Sequence, residues 1–180
     1  MSTTFDEFRE VLTAAAGNAC RCSRSELATT ITSIASSPVI WTRGDLDDAW
    51  PGLSQTLHAY GVTVHADAAA EQVRDQTWGL TSARAAIAET GSVILHENRL
   101  EHRSVSLMTE SLIVLCPLSQ LHPSLDDAGR ILREIASSGN SYATLVSGPS
   151  RTADIERQLT IGVQGPGQLH VVFVDDEVDA

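Results

Sequence analysis

The run Ser147-Gly148-Pro149-Ser150-Arg151-Thr152-Ala153-Asp154-Ile155-Glu156 combines a Gly-Pro turn, hydroxyl side chains and a guanidinium between a strand-like segment and a helical pattern. Such a junction aims free backbone N–H groups outward, so a carboxylate or phosphate can bind them, with the helix dipole and the Arg151 fork in support. The same residue types serve equally as caps, Ser150 and Thr152 for the helix start and Asp154 for its dipole, with Arg151 in solvent. Gly162-Val163-Gln164-Gly165-Pro166-Gly167 follows, and its glycines permit close approach of a ligand or of a neighbouring strand. A third segment is Ala88-Glu89-Thr90-Gly91-Ser92, where Glu89 ends a small-residue helical stretch. A carboxylate there is a general base, a covalent nucleophile or a hydrogen-bonded helix-end acid.

Other chemistries are excluded by residue type or spacing. All 12 basic residues are Arg, so neither a Schiff-base lysine nor a Walker-type lysine exists. His58, His65, His96, His102, His122 and His170 show no zinc-binding spacing, and no Gly-x-Ser-x-Gly elbow occurs. No metal site is expected. Cys20 and Cys22 form a Cys-x-Cys pair without a second pair, which suits reduced thiols better than a metal. The net charge of −11 repels nucleic acid and anionic membranes. A start without a basic, apolar leader and the lack of a run of about 18 apolar residues lead us to expect a cytoplasmic protein.

These segments need elements to position them. Thr4 and Glu7 have capping-box spacing, and Phe5, Phe8, Val11, Leu12 and Ala15 continue a helix to Gly17. A second helix carries Leu27, Ile31 and Ile34; Pro38 to Thr42 is a strand, Leu53 to Tyr60 a helix, and Val62 to His65 a strand. Trp78 to Thr81, Ser92 to His96, Leu112 to Cys116, Ala143 to Val146 and Leu169 to Val174 are strand-like, and Ala83 to Ala88 helical. Ser124 caps a helix whose stripe is Ala128, Ile131, Leu132 and Ile135, ended by Gly139-Asn140; Thr152 to Leu159 is another helix. Strands separated by helices predict an α/β fold, a mostly parallel sheet covered on both faces, in a single domain over 1–180.

Gly79-Leu80-Thr81, the run Ala88 to Ser92, Arg103-Ser104, the run Ser147 to Glu156 and Gly162 to Pro166 together resemble the ordered motif series of the LutC/LUD family, over residues 75–175. Residues 1–70 form a helix-rich lead-in to that core. The resemblance implies a three-layer α/β/α fold like that of the NagB/RpiA isomerases and CoA transferases. It also implies a part in oxidising lactate to pyruvate, beside LutA- and LutB-like iron–sulfur proteins that carry the clusters, with no cofactor in this chain. Ligand contacts are then expected from Thr90, Gly91, Arg103, Ser147, Gly148, Ser150, Arg151, Thr152, Gly162 and Gly165, for a small carboxylate or phosphate. The alternative is a stand-alone acyl or CoA transferase, or a phosphometabolite enzyme, with Glu89 catalytic. The family usually has His at the position of Gln164, and Pro and a nearby His around Thr109 and Ser111; any proton transfer by those histidines is missing here.

Overall fold

The structure, a computed structural model, describes residues 3–139, 141–152, 160–161 and 165–176. Helix α1 (Thr4–Ala14) starts from a capping box one residue earlier than the spacing suggests. The Asp6 N–H donates to Thr3 Oγ1 at 3.1 Å and the Thr3 N–H to Asp6 Oδ2 at 3.2 Å. Then come β1 (Asn18–Cys22), α2 (Leu27–Ala35), β2 (Val39–Thr42), the single turn α3 (Leu46–Ala49), α4 (Leu53–Ala59), β3 (Thr63–Ala66), the single turn α5 (Ala70–Val73) and β4 (Trp78–Ser82). The antiparallel pair β5 (Ala85–Ile87) and β6 (Ser92–His96) leads to α6 (Leu100–Met108) and β7 (Ser111–Pro117). The described chain ends with β8 (Leu121–His122), α7 (Leu125–Ser137), β9 (Ala143–Val146), β10 (Arg151–Thr152), β11 (Thr160–Ile161) and β12 (Gln168–Val174).

Six strands form one sheet in the order β1-β12-β7-β4-β2-β3, and every neighbouring pair is parallel. Its central strands β7 and β12 are apolar without alternation because both faces are covered. On one face Leu27 and Ile31 of α2, with Leu46, Leu53 and Leu57, pack on Ile40, Leu80, Ile113 and Val172. On the other, Phe8 and Leu12 of α1 join Ala86, Val93 and Leu95 over Leu112, Val114, Val171 and Phe173. Phe8 and Phe5 meet the Phe173 ring edge-on at 4.9 and 5.7 Å. The α/β arrangement with a parallel sheet is therefore as the alternation predicts.

A second sheet, ordered β8-β5-β6-β9, is inserted in the layer over that second face. Helix α7 covers its outer side, with Ala128, Ile131 and Ile135 on Ala85, Ile87 and Ile94. This sheet changes several local expectations. Ala85 to Ile87, helical by composition, is a strand because it pairs with both β6 and β8. Strand β9 joins β6 antiparallel instead of entering the parallel sheet. Thr152 pairs with Thr160 in an antiparallel ribbon, so it does not begin a helix; 153–159 of that expected helix lie outside the described residues. No helix among the described residues is long and apolar enough to cross a membrane.

The connections fix one special place. Strand β2 leaves through α3 and α4, on the first face, toward its outer neighbour β3; β4 leaves through the second sheet, on the opposite face, toward β7. Where neighbouring parallel strands send their chains apart, a crevice opens at their carboxyl ends, the usual ligand position in such sheets.

Candidate functional site

Two polar clusters lie on this framework. The first collects the motif residues at the C-terminal end of α1. Thr90 Oγ1 lies 2.7 Å from Ser92 Oγ, which lies 2.6 Å from Ser147 Oγ, so three hydroxyls join the start of β6 to the end of β9. Gly91 has φ +58°, and a Cβ there would come within 2.8 Å of the Leu12 nitrogen. Gly148 has φ +139°, with its Cβ position 2.9 Å from the Ala15 carbonyl oxygen. Arg151 Nη2 donates to that same oxygen at 2.6 Å. The last carbonyls of a helix lack intrahelical partners, and a guanidinium there satisfies one and complements the dipole.

The remaining residues expected from sequence lie at the rim of this cluster or away from it. The Ser150 N–H donates to the Pro166 carbonyl at 2.8 Å, and Gly165 abuts Ser150, so the two glycine-bearing loops pack together. Thr152 lies in β10, and Gly162 and Gln164 are outside the described residues. Glu89 does not end a helix. It is exposed in the turn between β5 and β6, and its Oε2 accepts the Leu125 N–H at 2.7 Å at the start of α7. Arg103 lies on α6, its guanidinium 4.7 Å from the Tyr142 ring centroid.

The second cluster occupies the crevice at the carboxyl ends of β2 and β4. A cleft of about 350 Å³ is lined by Arg43, Asp45, Asp48, Ser82, Arg84 and His96, together with Ala49 and Ala83. Arg43 forks onto Asp45, with Nη2 to Oδ2 at 2.6 Å and a second bond from Nε to Oδ1. Trp50 Nε1 donates to Ser82 Oγ at 2.9 Å and fixes that hydroxyl. Arg84 has a half-exposed side chain, and among the described residues its nearest acid is Glu134 at 3.9 Å. His96 keeps a buried Nε2 without a hydrogen-bond partner among the described residues.

Beside the cleft, between β4 and α6, Glu97 is 2% exposed. Thr81 Oγ1 donates to its Oε1 at 3.0 Å and Ser106 Oγ to its Oε2 at 2.5 Å. Burial pushes this carboxyl above its ordinary range, opposed by those hydroxyls and by Arg43 and Arg103. His102 is also buried, and burial lowers it against the pull of Asp45. Its Nε2 stands 3.3 Å from Asp67 Oδ1, an ion-pair distance without hydrogen-bond geometry. None of Arg43, Arg84, His96, Glu97 or His102 stands out in sequence. The signal for Arg43, Arg84, His96 and Glu97 is their position at or just beyond strand carboxyl ends, after Thr42, Ser82 and Leu95; His102, inside α6, carries none.

The comparisons with known proteins bear on the chain as a whole. The family model of the LUD domain matches residues 5–174. Lactate utilization protein C 1 of Bacillus mycoides is 37% identical over 102 residues, 55% of this chain and 44% of that protein. Lactate utilization protein C of Bacillus licheniformis is 30% identical over 136 residues, 74% of this chain and 56% of that protein. The chain thus spans about half the length of these curated relatives. A DUF162 family protein from Deinococcus radiodurans shares the fold, with TM-score 0.69 over 95% of this chain and 96% of that one, at 19% identity. A match that runs through both sheets, from α1 to the end of β12, makes this chain a member of the LUD-domain family.

Proposed function

We propose that the chain is a cytoplasmic LutC-type component of bacterial lactate utilisation, which holds a small carboxylate while LutA- and LutB-like iron–sulfur proteins carry the electrons. The observation behind this is the similarity to proteins named lactate utilization protein C, one of which aligns with 74% of this chain. Thiol chemistry agrees with clusters held by partners. Iron–sulfur centres are held by sets of thiolates, typically four, and these 180 residues include three cysteines. Two are on β1 and one on β7, and burial is the largest influence on all three thiols, pushing each away from the thiolate form. Oxidation of lactate to pyruvate releases two electrons and two protons; clusters on the partner proteins would take the electrons, and the protons would pass to solvent.

Acyl transfer through Glu89 has less support, because that carboxylate is already engaged at the α7 N-terminus. Deleting the gene in its native host tests the proposed role. Growth on lactate as sole carbon source should stop and return on complementation, and anaerobic purification should retain two iron–sulfur proteins. Unimpaired growth on lactate would overturn it.

A further inference from the structure

We infer that the cleft between the carboxyl ends of β2 and β4 binds a small carboxylic acid that also carries a hydroxyl, with Arg84 on the carboxylate and Asp48 on the hydroxyl. The site follows from geometry; that lactate is its natural occupant rests on the role proposed above. Its place is the topological switch point of the parallel sheet, and its volume of about 350 Å³ suits a small molecule.

The lining charges select the ligand class. Arg43 is closed on Asp45 through two bonds, so it supplies a rigid wall instead of a free fork. Of the two arginines that line the cleft, Arg84 is the less engaged, its guanidinium 3.9 Å from Glu134. Its backbone N–H is fixed to the Ile94 carbonyl at 2.8 Å, while its side chain is half-exposed and makes no hydrogen bond to Glu134. Arg151, the competing candidate, already donates to the Ala15 carbonyl. A planar fork of this kind matches a carboxylate in bidentate fashion. The facing acids make the cleft close to neutral, which disfavours a multiply charged phosphate. Asp48 is exposed and accepts a hydroxyl proton donor on the ligand, a group that a simple fatty acid lacks. His96 lines the same cleft.

Titration calorimetry of the 180-residue chain with L-lactate, propionate and inorganic phosphate tests this. Lactate should bind more tightly than either comparator. Arg84→Ala should weaken lactate about ten- to a hundredfold, the range for a hydrogen bond to a charged group, with Arg84→Lys intermediate and melting temperature unchanged. Asp48→Asn should shrink the preference for lactate over propionate, and Arg151→Ala should leave lactate affinity intact. Binding that survives Arg84→Ala, that disappears in Arg151→Ala, or that treats propionate and lactate alike would overturn the site. If Arg84→Ala abolishes lactate binding but a deletion strain grows normally on lactate, the site stands and the lactate role falls. If deletion blocks growth but the protein binds no hydroxy acid, the site falls and the role stands.

Discussion

Glu89 Oε2 accepts the backbone N–H of Leu125 at 2.7 Å, so a carboxylate from the β5–β6 turn caps a helix that begins 36 residues later. The local N-cap residue, Ser124, makes no capping bond to the backbone of its own helix, which leaves Glu89 in that role. An anion at a helix N-terminus satisfies an orphan donor and complements the dipole. Glu89→Ala should therefore lower stability by about 0.5–2 kcal/mol, measured by chemical denaturation, while lactate affinity is unchanged. A covalent acyl adduct on Glu89 after incubation with acyl-CoA donors, seen by mass spectrometry, would contradict this structural role.

What was legible in the sequence depended on whether the pattern was local. Helix α7 was readable from Ala128, Ile131, Leu132 and Ile135, because a single apolar stripe decides its packing. β7 and β12 were readable as unbroken apolar runs. Strand β1 was hidden because Asn-Ala-Cys-Arg-Cys has weak β character and owes its state to pairing with β12. Helix α6 was hidden too, because its Leu-Glu-His-Arg-Ser-Val-Ser-Leu-Met buries His102, Ser104 and Ser106 where a simple stripe would be apolar. The alanines of β5 favour helix until two neighbouring strands claim them. The motif loops were found by sequence, but not the cleft, whose residues 43, 48, 84 and 96 meet only through the topology.

The motif glycines press against α1. At Gly91 and Gly148 the backbone is left-handed or otherwise reserved for glycine, and an added Cβ would meet backbone atoms of Leu12 or Ala15 under 3.0 Å. Gly91→Ala and Gly148→Ala should each destabilise the fold by roughly 1–3 kcal/mol, combining strain with displacement of α1. Denaturant midpoints should fall accordingly. Midpoints equal to the wild type would show that α1 is not held this way.

Arg151 satisfies the Ala15 carbonyl, so Arg151→Ala should cost about 1 kcal/mol of stability. Exchange of backbone amides in the last turn of α1 should quicken, as read by hydrogen-exchange mass spectrometry. A purely ligand-directed arginine would leave both measurements unmoved and weaken anion binding instead.

Glu97 and His102 give stability a pH signature. Burial raises Glu97 above 4.5, so its contribution is full below that value and is lost as pH rises through the folded-state value. Burial lowers His102 below 6.5, so its contribution is present above 6.5 and lost as pH falls through the folded-state value. Glu97→Gln should therefore melt higher than the wild type at pH 8, and this gain should vanish near pH 4. A Glu97→Gln protein less stable at pH 8 would mean that the ionised carboxylate is the favoured form.

The most direct measurement is an amide chemical-shift titration of the isotopically labelled protein with L-lactate. Saturable shifts are predicted for the amides of Arg43 to Ala49, of Ser82 to Arg84, and of His96 and Glu97, all removed by Arg84→Ala. Shifts centred on Thr90 to Ser92 and Ser147 to Arg151, with the cleft amides still, would contradict a ligand site at the carboxyl ends of β2 and β4.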